Sequence, residues 1–265
     1  MIRQTLGAAY DRMIDAKMRY QIANCAKLGP GHIFDIQVDD LAIKLTFLDR
    51  PIGPAILERI QGRREPTTVT AIRALVRPGA RVLELGGCYG YFTNIMAACA
   101  GPDGKVVSIE GTPNNYRILK RNIELNNLKN VDAYNLFITD KADHVTYGQK
   151  DHDPYQAIER LGNARTSDAQ EEVAVQTVRL SEFLKKHAFD PDYVFMDIEG
   201  FEIEVFKDFD ARYLAKHRPV FVFEIHEMFY KGEENLEWIK RILDKHEYYY
   251  RKDGSNLLCF PSSAP

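Results

Sequence analysis

The ten residues 81–90, with the sequence RVLELGGCYG, place the strongest constraint on how this chain can fold. A short apolar run leads to Glu84, and Gly86, Gly87 and Gly90 then precede a helical pattern. Glycine tolerates positive φ and lets a ligand approach the backbone, while N–H groups at a helix N-terminus attract a negative or polar group. The stretch therefore predicts a strand, a tight turn and a helix, with a nucleotide-like ligand at the turn.

The order of the glycines separates two classes of ligand. The dinucleotide pattern G-x-G-x-x-G would need glycine at positions 85, 87 and 90, and position 85 is Leu. Glu84, two positions before Gly86, gives the order E-x-G-x-x-x-G. This order resembles the S-adenosylmethionine loop of Rossmann-like methyltransferases. A glycine turn that only packs a helix against a strand is the alternative interpretation.

Composition indicates an ordinary soluble globular protein. The chain has 265 residues, of which 45% are hydrophobic and 28% charged, enough for one α/β domain with an added segment. A net charge of −3 gives no bulk attraction to nucleic acid, and no run reaches the roughly 18 apolar residues of a membrane span. Without a signal peptide or a C-x-x-C pair, the chain is expected in the cytoplasm, with no nucleic-acid or membrane partner.

The first 66 residues are predicted to form an elaboration in front of the main domain. Apolar residues three and four apart predict an amphipathic helix over residues 1–28, and alternation from Ile33 to Phe47 predicts a β-hairpin that turns at Asp39 and Asp40. The apolar stripe of the helix packs on its own domain, joins two copies of the chain into a homo-oligomer, or covers the substrate. Residues 67–265 are predicted to form the S-adenosylmethionine-binding domain.

The order of elements after the glycine turn is β-α-β-α-β. A second buried strand, Lys105–Ile109, ends at Glu110, and a third strand is predicted over residues 131–138. Parallel strands in this order place their carboxyl ends at one edge of a sheet. A carboxylate at the end of the second strand can accept hydrogen bonds from both ribose hydroxyls of an adenosine. Glu110 is therefore assigned to the ribose, with a helix-capping or surface role as the alternative.

Three blocks resemble the FkbM-type S-adenosylmethionine-dependent methyltransferases. They are VLELGGCYGYFT at 82–93, IEGTPNNYRILKRNIELNNL at 109–128 and YVFMDIEGFEIEVFKDF at 193–209, the last with the most discriminating core, D-x-E-G-x-E. The likeness runs from about residue 75 to residue 260. It implies an α/β, Rossmann-like class I methyltransferase fold: a mostly parallel sheet with helices on both faces and a C-terminal antiparallel hairpin.

The resemblance also implies roles for individual residues. Glu84, Gly86 and Gly90 would shape the methionine end of the cofactor pocket. The family often has Asn where this chain has Cys88, which puts a side-chain hydrogen bond from that position in question. The expected cofactor-binding residues are Glu84, Gly86, Gly87, Cys88, Gly90, Glu110 and Asp197.

Two later strands end in candidates for catalysis. One strand ends at Asp197, and the next carries Glu224 and delivers His226 to the same edge. These groups could deprotonate a hydroxyl nucleophile, with His226 as the first candidate for the base and Asp197 as the second. Alternatively, Asp197, Glu224 and His226 could bind Mg²⁺. A histidine satisfied by a purely structural hydrogen bond is equally open.

The sequence thus predicts a methyltransferase that acts on a hydroxyl of a small molecule or sugar, and the choice of acceptor atom rests on the family resemblance. An N-methyltransferase and a non-catalytic S-adenosylmethionine-binding protein are the alternatives. The acceptor pocket would use the N-terminal segment and the polar stretch 140–172, which is either a lid or a solvated loop. Glu202 and Glu204 are expected on the helix after Asp197 rather than at the strand end.

Overall fold

The computed structural model describes residues 15–139, 145–149, 171–208, 211–230, 232–233 and 235–262. The chain divides into two compact units, Met1–Glu65 and Pro66–Pro265. The division falls one residue before the predicted domain boundary, and the roles assigned to the two parts stay predictions. Within the described ranges, every helix is too short or too polar to cross a membrane.

The first unit contains a helix, a hairpin and a second helix. These are α1 over residues 15–26, β1 (Ile33–Val38), β2 (Leu41–Thr46) and α2 (Pro54–Ile60). The predicted hairpin is present, with Ile36 opposite Ile43 and Asp39 in the left-handed region at φ 52°. Aspartate is among the few residues that enter this region readily, so it suits the turn. The part of the predicted N-terminal helix before Asp15 lies outside the described residues.

The sequence pattern does not predict helix α2, because Pro51, Gly53 and Pro54 are of the residue types that usually mark a loop. In the structure Pro54 is the first residue of the helix. The N–H groups of a first helical turn have no partner within the helix, so a proline there loses nothing and its fixed φ favours the helical conformation. The same residue type that stops a helix in its interior therefore starts this one.

The second unit is built on a seven-stranded sheet. Its elements are α3 (Pro66–Leu75), β3 (Arg81–Leu85), α4 (Tyr91–Ala100), β4 (Lys105–Ile109), α5 (Pro113–Leu125), β5 (Val131–Tyr134), β6 (Phe137–Ile138), β7 (Val145–Gln149), β8 (Glu171–Val175), β9 (Thr177–Val178), α6 (Leu180–Lys186), β10 (Tyr193–Met196), α7 (Glu202–Asp208), α8 (Ala211–His217), β11 (Val220–Glu224), the 3₁₀ turn Glu227–Phe229, α9 (Leu236–Lys245), β12 (Tyr248–Asp253) and β13 (Asn256–Pro261).

The strand order in the sheet is β12-β13-β11-β10-β3-β4-β5. The five strands from β11 to β5 are parallel, and β13 and β12 close the sheet as an antiparallel hairpin. The predicted fold class is thus confirmed. The carboxyl ends of the five parallel strands all lie at one edge of the sheet, where ligands bind in open α/β sheets.

Both faces of the sheet are covered, which explains why its strands are continuous apolar runs. On one face, Leu83 and Leu85 of β3 belong to a hydrophobic core with Phe183 of α6, Phe206 of α7 and Leu243 of α9. Successive side chains of a strand point to opposite faces, so the intervening residues of β3 face the side on which α4 packs against β3 and β4. Glu84 is one of these residues.

The third predicted strand, residues 131–138, is too long. Strand β5 ends at Tyr134 because the Asn135 side-chain amide donates hydrogen bonds to the carbonyl oxygens of Glu110 and Gly111, at 2.8 and 3.0 Å. The chain then leaves the sheet, and β6 forms a separate parallel pair with β9. A side chain that bonds to the neighbouring backbone competes with the strand ladder, and apolar periodicity does not register it.

The polar stretch 140–172, predicted to be a lid or a solvated loop, contains residues of two paired strands. Strand β7 runs antiparallel to β8, with Val145 opposite Val175. Residues 140–144 and 150–170 lie outside the described residues. The role of this stretch as a lid therefore stays a prediction.

Candidate active site

The glycine turn after β3 lies directly against the end of β10. Gly86 has φ +92°, and its N–H donates to the carbonyl oxygen of Ile109 at 2.8 Å. A Cβ at Gly86 would lie 2.0 Å from the carbonyl oxygen of Asp197, a distance that real Cβ atoms do not reach. Asp197 in turn donates its N–H to the carbonyl oxygen of Leu85 at 3.0 Å. Glycine is therefore required here by the packing of two strand ends, in addition to any approach of a ligand.

The other two glycines of the turn are crowded by the neighbouring strand and helix. A Cβ at Gly87 would lie 2.3 Å from Ser108 Oγ, and one at Gly90 would lie 2.9 Å from Leu119 Cδ1. Their small size lets β4 and α5 pack tightly against the turn. The side of the turn that faces β4 and α5 is thus closely packed against them.

Glu84 supports the turn from behind. Its side chain is buried, with 3% of the residue exposed, and its Oε2 accepts hydrogen bonds from Thr93 Oγ1 and Ser108 Oγ, both at 2.5 Å. These contacts connect β3 to α4 and β4. Burial raises the pKa of Glu84 to about 7; the two hydroxyl bonds oppose this rise, and the nearby charge of Glu110 adds to it. Glu84 acts on the predicted cofactor pocket by holding these elements together.

The buried carboxyl of Glu84 should make the stability of the protein fall as the pH rises from about 4.5 to about 7. The folded-state pKa of about 7 lies above the ordinary value of 4.5, so protonation of Glu84 favours the folded state. This contribution is fully present below the unfolded pKa and is lost as the pH rises through the folded pKa; it amounts to about 3 kcal/mol. The side chain in Glu84→Gln stays neutral at every pH. The urea concentration at the unfolding midpoint should therefore decline less with rising pH in this variant than in the wild type.

A matched control is Glu182→Gln, a substitution in the exposed first turn of α6. The urea midpoint of this control should decline between about pH 4.5 and about pH 7 as that of the wild type does. A decline of wild-type size in Glu84→Gln would show that Glu84 does not titrate in this range.

Glu110 connects the glycine turn to the start of α5. One carboxylate oxygen, Oε2, accepts the backbone N–H of Cys88, and the other, Oε1, accepts the backbone N–H of Thr112, each at 2.7 Å. An ionised carboxylate has about four acceptor positions, so a ribose diol can bind the same two oxygens beside these contacts. The donor and acceptor chemistry at the end of β4 therefore fits the adenosine part of S-adenosylmethionine.

The backbone conformation of Cys88 accounts for its place in the turn. Its φ of +47° lies in the left-handed region, and its backbone N–H is the group that donates to Glu110. Asn enters this region several times more readily than most residues, which is a physical reason for its frequency at this position in the family. The backbone N–H is available from any residue except proline. The substitution by Cys thus keeps the contact with Glu110.

Four ionisable side chains converge where β10 and β11 end. The Nε2 atom of His226 lies 3.4 Å from Glu199 Oε2, 3.6 Å from Asp197 Oδ1 and 3.8 Å from Glu224 Oε2. The structure thus brings together Asp197, Glu224 and His226, the three residues proposed from the sequence. It adds Glu199, which occupies the left-handed region at φ +51° in the turn after β10.

Glu202 holds the other nitrogen of His226. Its Oε1 lies 3.1 Å from Nδ1, and its Oε2 accepts a hydrogen bond from the Tyr230 hydroxyl at 3.3 Å. Glu202 is on α7, as expected, but it is fully buried against the cluster. The residues that sequence reasoning missed are therefore Glu199, Glu202 and Tyr230. The D-x-E-G-x-E block contains the first two, whereas nothing in the sequence singles out the tyrosine.

The surroundings of His226 favour its protonated form. Burial alone would lower the pKa of the imidazole, but the hydrogen bond with Glu202 and the charges of Glu202, Glu199 and Asp197 outweigh it and raise the pKa to about 9. At neutral pH the side chain is then an imidazolium, and both ring nitrogens carry protons. In this state His226 donates hydrogen bonds and cannot accept a proton.

The sequence model that describes the methyltransferase FkbM domain matches residues 79–252. The chain belongs to the FkbM methyltransferase family. The FkbM match includes the glycine turn, Glu110 and the cluster around His226. It supports S-adenosylmethionine as the methyl donor.

Curated relatives share a shorter region with this FkbM chain. It is 34% identical over 89 residues to a protein-L-isoaspartate O-methyltransferase of Methanothrix thermoacetophila, which covers 34% of this chain and 39% of the relative. It is 30% identical over 111 residues to protein-L-isoaspartate O-methyltransferase 1 of Archaeoglobus fulgidus, and the match covers 42% of this chain and 50% of the relative. The FkbM chain thus spans at most half the length of these two relatives.

Among solved structures, the FkbM chain is similar to an O-methyltransferase from Bacillus cereus in complex with SAH. The two are 17% identical, with 75% of this chain and 82% of the other covered, and the TM-score is 0.46. A similarity at this level carries no argument about the acceptor.

Proposed function

We propose that this chain transfers a methyl group from S-adenosylmethionine to an oxygen atom of a hydroxylated small molecule or sugar. The observation that carries the proposal is the contact between Gly86 and the backbone of Asp197. It puts the cluster of carboxylates and imidazole directly beside the turn assigned to the cofactor. Methyl transfer requires the donor carbon and the acceptor atom to be held in line, and this adjacency supports such an arrangement.

The residues of the chain have separate tasks in this proposal. Residues 67–265 bind the donor, with Glu110 on the ribose, and residues 1–66 are an elaboration that precedes this domain in the chain. When bound, S-adenosylmethionine supplies a methyl group activated by the sulfonium charge. The electron pair of the broken S–CH₃ bond stays on sulfur, while a lone pair of the acceptor oxygen forms the new O–CH₃ bond.

The proton of the acceptor hydroxyl also needs a destination. Asp197 is the better of the two candidate bases, because its side chain is 35% exposed and its carboxylate can accept a proton. His226, as an imidazolium, is assigned to hold Asp197 and Glu199 in place. The predicted Mg²⁺ at Asp197, Glu224 and His226 stays a prediction, and the activity of the EDTA-treated chain with and without added Mg²⁺ tests it.

Charge favours some acceptors over others. Three carboxylates surround the Nε2 atom of His226, so the site carries a net negative charge even with a protonated imidazole. A carboxylate acceptor, such as the names of the curated isoaspartate relatives suggest, would be repelled. A neutral hydroxyl is accepted without this penalty. An ammonium would be attracted, so N-methylation is the second candidate function.

The test combines a substrate screen with a variant. Purified chain is incubated with methyl-labelled S-adenosylmethionine and with separate panels of hydroxylated sugars and metabolites, amines and carboxylates. We expect label in the hydroxyl panel. Asp197→Asn should then lower kcat about 10²- to 10⁴-fold, the usual contribution of general base catalysis. Asp197 meets the glycine turn through its backbone carbonyl, which this substitution leaves unchanged. S-adenosylhomocysteine should therefore still bind the native state of the variant and raise its Tm.

Asp103→Asn, in the exposed turn after α4, is the matched control and should retain wild-type kcat. Label found only in the amine panel would show that the proposed O-methylation is wrong and that the chain is an N-methyltransferase. A normal Tm shift without transfer to any panel would favour a non-catalytic binding protein. The absence of any Tm shift at saturating S-adenosylhomocysteine would reject the cofactor assignment.

A further inference from the structure

One imidazole nitrogen and two carboxylate oxygens converge in the second unit at the ends of β10 and β11. Single ligand atoms of Asp197, Glu199 and His226 all lie within 4.8 Å of one another. The distances from Nε2 to the two carboxylates, 3.4 and 3.6 Å, exceed the roughly 2.7–2.9 Å of a charge-assisted hydrogen bond. Around an ion with bonds of about 2.1 Å, tetrahedral geometry places neighbouring ligand atoms about 3.4 Å apart. The spacing therefore suits a cation between these three side chains.

The support behind His226 is that of a metal ligand. Histidines that bind metals almost always donate their second ring N–H to a carboxylate or carbonyl, which fixes the tautomer and aims the free nitrogen at the ion. Here Nδ1 contacts Glu202, a fully buried carboxylate that Tyr230 contacts from the other side. With Nδ1 held in this way, Nε2 is the nitrogen that faces Asp197 and Glu199.

The charges favour a divalent ion at this point. Asp197, Glu199 and Glu224 all lie within 3.8 Å of Nε2, and a proton on that nitrogen supplies only one positive charge against three negative ones. A divalent cation that replaces the proton supplies two. Buried or half-buried carboxylates without such compensation are unfavourable, because they repel one another and lose hydration.

We propose that Asp197, Glu199 and His226 bind a divalent first-row transition-metal ion, with Glu202 as the positioning residue behind His226. The imidazole decides the class of metal, because imidazole suits transition-metal ions such as Zn²⁺, whereas Mg²⁺ prefers oxygen ligands alone. The ligand set differs from the one expected from the sequence, since Glu199 replaces Glu224. The proposal rests on the proposed methyltransferase function. With the ion bound, His226 would be neutral and Asp197 a ligand, and the ion would lower the pKa of an acceptor hydroxyl bound to it, in place of proton removal by Asp197.

The test measures metal binding without donor or acceptor. The full chain is stripped with EDTA, dialysed, and titrated in separate arms with Co²⁺, Zn²⁺, Mn²⁺ and Mg²⁺ by calorimetry, with the visible absorption of Co²⁺ as a report on ligand geometry. We expect one transition-metal ion per chain and much weaker binding of Mg²⁺. His226→Gln should abolish this binding, and Glu202→Gln should weaken it about 10- to 100-fold, as changes behind a metal ligand do.

His187→Gln, which alters an exposed histidine after α6, is the matched control and should bind metal as the wild type does. Glu199→Gln is a second ligand variant for the case that His226→Gln does not fold. The Glu199 side chain is 28% exposed, so the substitution should leave the fold intact. It should still abolish one-to-one metal binding. Any of three results would overturn the proposal: no binding of a transition metal, metal binding that is unchanged by His226→Gln, or binding of Mg²⁺ as tight as that of Co²⁺. The Tm shift with S-adenosylhomocysteine and the substrate screen test the methyltransferase function without a metal titration. A failure of the metal proposal can therefore be distinguished from a failure of the proposed function.

Discussion

Replacement of Gly86 by alanine should destabilise the protein by about 2–5 kcal/mol and abolish cofactor binding. The new Cβ would meet the carbonyl oxygen of Asp197 at 2.0 Å, and the backbone would have to keep φ +92°. Overpacking in a tight core costs about 1–3 kcal/mol, and a left-handed conformation costs a residue with a Cβ about 1–2 kcal/mol. Urea unfolding and calorimetry with S-adenosylhomocysteine measure the two effects.

Gly79→Ala separates steric overlap from backbone strain. Gly79 has a similar φ, +84°, but a Cβ there would meet nothing within 4 Å. We expect a loss of only about 1–2 kcal/mol, from the left-handed conformation alone, and unchanged cofactor affinity. Equal losses of stability in the two variants would show that the contact between the turn and β10 is unimportant.

Glu110→Ala is expected to weaken S-adenosylhomocysteine binding at least tenfold and to destabilise the turn. The substitution removes the acceptor of the Cys88 and Thr112 backbone N–H groups, as well as the proposed acceptor of the ribose hydroxyls. Hydrogen bonds to a charged group contribute about 1.5–3 kcal/mol each, so the effect on affinity should be clear in a calorimetric titration.

The control for this variant is Glu124→Ala on α5. Glu124 forms an exposed ion pair with Arg121 at 3.3 Å, and such pairs contribute about 0–1 kcal/mol. Its cofactor affinity should equal that of the wild type. An unchanged dissociation constant in Glu110→Ala would place the ribose elsewhere in the site.

The parts of the fold that follow from local chemistry were predictable. Continuous apolar runs identified the buried strands, and the glycines after Glu84 identified the turn, because both signals depend on residues close together in the chain. The end of β5 just before Asn135 was not predictable, since it depends on hydrogen bonds to Glu110 and Gly111, 25 and 24 positions earlier. Helix α2 was missed because proline has opposite effects at the start and in the interior of a helix.

In the candidate site, too, features that depend on residues close together in the chain were predictable, and those that depend on distant contacts were not. The pattern of strands leads to Asp197, Glu224 and His226, since each lies at the end of an apolar run. The burial of Glu202 is a tertiary effect, because an acidic residue in the first turn of a helix is normally exposed and favoured there by the helix dipole. Only the folded chain shows that its carboxylate meets an imidazole 24 positions later.

The contact between Gly86 and Asp197 also has a consequence for how acceptor preference can diversify. Random changes near this contact would disturb the proposed donor site and the proposed base together, so few of them would yield an active catalyst. Met228, which is 84% exposed in the short turn that begins one residue after His226, lies outside the contact. Libraries for directed evolution of new acceptors should therefore begin at this methionine and leave the turn unchanged.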